Sequence, residues 1–220
     1  APFAAIAFTL GVTMLLVAWA GAPIGETYAL MFEGGFGSRF AWSETLTRAT
    51  PLMLTGLSAA VAFRARLWNI GAEGQLYAGA LAAVAVGGLH GGTGFNMPPA
   101  VLFAAMLCAA VLAGALLLLV PTLLRTRLGV DEVVTTLLLN FIVLLFVSLM
   151  LDGPMKDPTA LGWPQSVALR DELQLDKLIP RTRVHTGIVY AVGLAVALSF
   201  VMRATTFGFE ARAVGANARA

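Results

Sequence analysis

Charge is what this 220-residue chain has least of: Asp, Glu, Lys and Arg together make 12% of it, about half of the roughly 25% found in soluble domains. Lys156 and Lys177 are its only lysines, and neither follows a glycine-rich run. A phosphate-cradling Gly-x-x-x-x-Gly-Lys loop is therefore excluded, and if ATP drives this protein, another polypeptide hydrolyses it. The single cysteine, Cys108, rules out an internal disulfide and reads as a small packing residue inside "AAMLCAAVLAGALLLLV". Two histidines, His90 and His185, flank apolar runs with no His-Glu-x-x-His pair, and no serine stands in a Gly-x-Ser-x-Gly setting. Neither a metal site nor a nucleophile is expected from them, and no cofactor is implied. Arginines are scattered among apolar blocks, so nucleic-acid binding lacks its electrostatic footprint.

What the chain does have is apolar length. With 59% hydrophobic residues and a mean hydropathy of +0.85, it reads as an integral membrane protein of all-α class, a polytopic transmembrane helical bundle. A span needs about 20 mostly apolar residues. Six stretches approach that, at 3–22, 46–63, 67–89, 99–124, 132–151 and 185–203. The apolar start has neither Met nor a basic flank, so it is read as a transmembrane helix of a longer chain rather than as a signal peptide. "ETYALMFEGGFGS" is open between an interfacial helix and a surface loop.

Orientation follows from Lys and Arg in short loops. Arg64, Arg66, Arg125, Arg127, Arg203, Arg212 and Arg219 fall on one side. Arg39, Arg48, Lys156, Arg170, Lys177, Arg181 and Arg183 fall on the other, so the count ties at seven each. The compact "RAR" and "RTR" clusters favour the first side as cytoplasmic.

One stretch contradicts its surroundings. "NIGAEGQ" at 69–75 puts Asn69, Glu73 and Gln75 among glycines at the head of an apolar segment, where a carboxylate is costly unless it meets a cavity or a partner. Gly71 and Gly74 suggest an interrupted helix, whose exposed ends and polar side chains would face a solute. A second reading is a turn followed by an ordinary helix start, with Glu73 complementing the dipole. Gly71, Gln75, Gly79, Ala83 and Gly87 recur every fourth residue, a small-residue stripe suited to close helix packing. In "VDEVVTTLLLNFIVLLF", Glu132, Thr136 and Asn140 share one helix face. Asn140 either bonds a neighbouring helix or, with Thr136, lines a solute path. The hydroxyls of Thr47, Thr50, Thr55 and Ser58 can be satisfied by their own helix.

Three blocks in order, "LWNIGAEGQLYAGA", "GVDEVVTTLLLNFI" and "RATTFGFEARAVGANARA", resemble the permease subunits of bacterial ABC importers of the sugar, branched-chain amino acid and nucleoside class, and within it the simple-sugar or nucleoside permeases. The resemblance runs from about Leu46 to the end. That subgroup commonly has Gly at position 66 and Asn at position 131, where this chain has Arg66 and Asp131. The resemblance implies a transmembrane permease domain over 1–220, an extracytoplasmic loop at 152–184 and a cytoplasmic coupling loop at 204–220, the latter with Glu210, Arg212, Gly215 and Asn217 at motif positions. It further implies a multi-pass protein of the bacterial cytoplasmic membrane, partnered by an ATPase subunit, a second permease subunit and an extracytoplasmic binding protein. Asn69, Glu73, Gln75, Thr136 and Asn140 would then line the solute path, and no catalytic residue is expected in this chain.

Overall fold

The computed structural model describes residues 2–88 and 97–216. Among these residues the chain forms eight α-helices and one 3-10 turn, with isolated β-bridges but no strand. The helices are α1 Pro2–Trp19, α2 Ile24–Phe36, α3 Arg39–Arg64, α4 Ala72–Gly87, α5 Pro99–Leu128, α6 Glu132–Asp152, α7 Gly187–Ala204 and α8 Thr206–Ala216, and the 3-10 turn is Asp171–Leu173. Four of them, α3, α5, α6 and α7, are long and apolar enough to cross a membrane. The first expected span is the shorter apolar helix α1, and the third, expected at 67–89, is helical only from Ala72 to Gly87. At 1.5 Å per residue α4 covers about 24 Å, less than the ~30 Å hydrocarbon core.

Two units divide the chain: one runs to Pro51 and includes Lys177–Ile188, and the other holds Leu52–Asp176 with the chain from Val189 onward. In the first, "ETYALMFEGGFGS" belongs to helix α2, which follows the extended Pro23 and carries Glu26 in its first turn. Tyr28 ties it to α1 by donating its hydroxyl to the Leu10 carbonyl at 2.6 Å. Phe36 stands edge-on to Trp42, and Thr45 donates to the Gly35 carbonyl at 2.9 Å, which fixes the bend between α2 and α3.

The second unit is organised by α4, which lies along α5 and against α6. Its small-residue stripe is the reason: a methyl group at Gly79 would stand 3.1 Å from the Ala110 carbonyl, and one at Gly87 would press on Met106 and Leu173. Leu102, Met106 and Leu173 form the buried core there, flanked by Ala83, Val86, Phe103 and Leu169. Segment 153–176 closes that end of α4, with Arg170 donating its amide to the Gly87 carbonyl at 3.2 Å.

At the other end α5 passes into α6 through Gly129, Val130 and Asp131. Gly129 adopts φ +66°, and the Val130 amide reaches back to the Leu124 carbonyl at 3.3 Å, which satisfies carbonyls left over at the helix end. Asp131 then caps α6, its Oδ1 accepting from Val133 N–H at 2.8 Å and Val134 N–H at 3.3 Å. Asp is among the residues that serve best in that role. Arg66 also stands out, with φ +53° in the bend after α3. A left-handed position suits a glycine and strains an arginine.

The C-terminal polar segment, expected as a loop, is helical from Thr206 to Ala216. Asn217, Arg219 and His90 lie outside the described residues.

Candidate functional site: a polar seam between the start of α4 and helix α6

Between Arg64 and Ala72 the chain is not helical. The amides of Ala65, Arg66 and Leu67 turn back onto the last carbonyls of α3, at Ala62 and Phe63, but those of Trp68 and Ile70 and the first three of α4 have no intrahelical acceptor. A buried amide without a partner costs about 1–3 kcal/mol. Helix α6 supplies the acceptors. Glu132, Thr136 and Asn140 are 4%, 3% and 7% exposed and lie on one face. Each accepts from main chain: Trp68 N–H to Glu132 Oε1 at 3.3 Å, Ile70 N–H to Thr136 Oγ1 at 3.2 Å, and Gly74 N–H to Asn140 Oδ1 at 2.5 Å. Spacing of four along α6 thus matches the pitch of the segment that descends beside it, and Asn140 lies about 12 Å along the helix from Glu132.

Asn69 completes the seam from the other side. It is buried, its Oδ1 accepting from Gly71 N–H at 3.0 Å and from Gln75 Nε2 at 3.2 Å, while its Nδ2 donates to Gln75 Oε1 at 3.3 Å. The two amides pair and close the turn into α4. Gly74 is required where it stands, because a β-carbon would meet Asn140 Oδ1 at 2.9 Å and Asn140 Cα at 3.1 Å. Glu132 carries a buried charge, and the Arg125 guanidinium from the last turn of α5 pairs with its Oε2.

Glu73 is placed differently. It is exposed, in the first turn of α4, and its one described hydrogen bond is long, Oε2 accepting from Asn140 Nδ2 at 3.5 Å. The rest of its carboxylate is free to meet another group. Beside the seam a cavity of about 30 Å³, lined in part by Asn69, Pro121, Glu132 and Thr136, has room for water but not for a metabolite, whose sites run to about 300–1,000 Å³.

The five residues expected on a solute path are therefore gathered in one place. Asn69, Gln75 and Thr136 bond to one another and to the backbone, Asn140 bonds to the Gly74 amide and to Glu73, and Glu73 alone among the five is exposed. The non-helical segment separates α3 from α4 and does not divide a single helix. Arg125 was counted in the sequence only as a topological charge; its position across the Gly129 turn from Glu132 was the signal for the pair. Of the C-terminal residues, Glu210 is exposed, Arg212 donates to the Met202 carbonyl, and Gly215 is buried against the Arg64 carbonyl. "RAR", "RTR" and α8 thus share one end of this unit. Among the described residues no group of three or more His, Cys, Asp or Glu could hold a metal ion.

Residues 41–220 match the family described as branched-chain amino acid transport system / permease component. The chain is 34% identical to the guanosine ABC transporter permease protein NupP of Bacillus subtilis (strain 168), over 100% of this chain and 62% of that one. It is 38% identical to the glucose ABC transporter permease protein TsgB13 of Haloferax volcanii, over 87% and 52%. It is 31% identical to the nucleoside ABC transporter permease protein NupB of Lactococcus lactis subsp. cremoris, over 96% and 58%. The chain spans between half and two thirds of the length of these relatives. No solved structure gives a significant match.

Proposed function

The chain belongs to the branched-chain amino acid transport system / permease component family, and on that premise we propose that it is the membrane-spanning permease subunit of an ATP-driven importer whose first candidate solute is a nucleoside. Two of the three relatives named above carry guanosine or nucleoside in their names. The glucose permease relative, at 38% identity, supports a simple-sugar solute as the second reading. The protein acts without a catalytic step of its own. A separate ATPase subunit hydrolyses ATP, a second permease subunit completes the path, and an extracytoplasmic binding protein delivers the solute. The chain works as a multi-pass protein in the cytoplasmic membrane of a bacterium.

The observation that carries this reading is the exposed carboxylate of Glu73 on a helix start held by Asn140 through the Gly74 amide. Among the described residues no ion pair neutralises it, and an ionisable residue in an apolar helical bundle is a functional feature by default, suited to hydroxyls on a ribose or hexose. In this mechanism Glu73 meets the solute. Asn140, Thr136, Asn69 and Gln75 fix the backbone that presents it, and the path alternates between the binding protein and the cytoplasm. ATP binding at the partner is conveyed through α8, on which Glu210 faces outward.

The test is uptake of labelled guanosine, adenosine, ribose, glucose and leucine by cells carrying the full-length permease with its ATPase and binding protein, against cells lacking the permease. Permease-dependent nucleoside uptake that falls at least tenfold in Glu73→Ala is the expected result. Sugar uptake alone replaces the nucleoside reading with the second one. Uptake that survives ATP depletion but stops when the proton gradient collapses overturns the importer assignment.

A further inference from the structure

Two residues of the C-terminal polar segment act inward. Arg212 Nη1 donates to the Met202 carbonyl in the last turn of α7. Gly215 is buried, and any β-carbon placed there would collide with the carbonyl of Arg64, the last residue of α3. Both carbonyls lie at helix ends, which their own helices leave without partners; that of Met202 accepts from the arginine, and that of Arg64 is met by the glycine backbone at close approach. An open groove of about 60 Å³ is lined by Leu57, Val61 and Arg64 of α3 and by Leu198, Ser199 and Met202 of α7.

We propose that Arg212 and Gly215 are positioning residues that bracket α8 onto the ends of α7 and α3, so that a push on α8 moves those two helices as a pair. One attachment would let α8 swivel, and two fix its angle. The groove between α3 and α7 leaves the pair room to shift, and α8 links their ends. This rests on the reading of α8 as the element that meets the ATPase, and it removes from that contact the buried Gly215 and the Nη1 that the otherwise exposed Arg212 commits to Met202. The partner is met instead by the outward face, where Phe207, Glu210 and Val214 stand at positions i, i+3 and i+7, all exposed.

The experiment uses the full-length permease with its ATPase and binding protein in proteoliposomes, as wild type, Arg212→Met, Arg212→Lys, Gly215→Ala and Glu210→Lys. Three quantities are read: ATPase retained on the purified permease, solute taken up per ATP hydrolysed, and the distance distribution between spin labels at positions 196 on α7 and 216 on α8, both exposed and outside the partner-facing set. Arg212→Met is expected to retain the ATPase, to broaden the label distribution and to lower uptake per ATP at least tenfold. Arg212→Lys keeps a donor and should recover most of both, Gly215→Ala should resemble Arg212→Met, and Glu210→Lys should release the ATPase with the distances unchanged. An unbroadened distribution in Arg212→Met overturns the bracket whether or not the assembly transports, and loss of the ATPase in that variant overturns it in favour of direct partner contact. Wild type that shows no ATP-dependent uptake overturns the importer reading instead, and the distances still decide the bracket.

Discussion

Asn140 holds Gly74 from eight residues inside α6: its Oδ1 accepts the glycine amide at 2.5 Å, and no side chain larger than hydrogen fits between them. The asparagine does for α4 what a capping residue normally does from the preceding turn, but from another helix. We predict that Asn140→Ala, which strands a buried amide, costs about 1–3 kcal/mol. Asn140→Asp keeps an acceptor and should cost less at a pH low enough to hold the new carboxyl, set beside Glu73, in its neutral form. Reversible unfolding in mixed micelles would measure both. Equal losses in the two variants would mean that Gly74 does not depend on the acceptor.

Gly74→Ala attacks the same contact from the other side. The added methyl would stand 2.9 Å from Asn140 Oδ1 and 3.1 Å from its Cα, so α4 must move off α6. Overpacking of this kind costs about 1–3 kcal/mol. In a double-mutant cycle with Asn140→Ala the two losses should be strongly non-additive. Simple additivity would place the two residues apart.

Glu73 should separate stability from function. As an exposed residue with one long hydrogen bond, it is expected to change stability by no more than about 0.5 kcal/mol when replaced by Ala. Solute uptake by the assembled importer should nevertheless fall. A Glu73→Ala permease that melts early would explain lost uptake by misfolding and remove the reason for putting this carboxylate on the path.

How much of this was legible in the sequence depends on what the polar side chains bind. Glu132, Thr136 and Asn140 could be placed on one face because their spacing is a property of side chains. Their partners are the amides of Trp68, Ile70 and Gly74, and main-chain donors leave no mark in residue identity. The same holds for Arg212, which donates to the carbonyl of Met202, and for Gly215, which packs against that of Arg64. The start of α4 at Ala72, with Glu73 in its first turn, is the second reading of "NIGAEGQ", a turn followed by a helix start; the span drawn from residue 67 missed it because "LWNI" is mostly apolar although its backbone is docked rather than coiled. Helix α8 was hidden by Gly208 and Gly215, which lower helix propensity but stand where α8 crosses other backbones. The long apolar runs of α3, α5, α6 and α7 needed no such knowledge, since length and hydropathy alone mark them.

Arg66 provides a test of backbone strain apart from any transport assay. Its φ of +53° costs an L-residue about 1–2 kcal/mol, and glycine returns part of the relief by loosening the unfolded chain. Arg66→Gly should therefore stabilise the protein by roughly 0.5–1 kcal/mol. A lower unfolding midpoint for this variant would show that the arginine side chain contributes more than its backbone costs.

Arg125 and Glu132 provide the sharpest test of how the seam is held. The Glu132 side chain is 5% exposed and that of Arg125 44%, so the two ends of the pair are not equivalent. Removing the arginine leaves a buried carboxylate facing only the Trp68 amide, whereas removing the charge from Glu132 leaves a neutral acceptor for that amide and an arginine that can turn to water. Arg125→Met is expected to cost about 3 kcal/mol, the lower end of the range for breaking a buried pair. Glu132→Gln should cost clearly less, and the double variant should lie closer to Glu132→Gln than to Arg125→Met, because once the charge is gone the arginine has little left to neutralise. Unfolding of the three variants at one pH would decide it. If Glu132→Gln proved the more damaging, the carboxylate's charge itself would be organising the Trp68 turn, and the seam would depend on electrostatics at its entrance more than on the three acceptors spaced along α6.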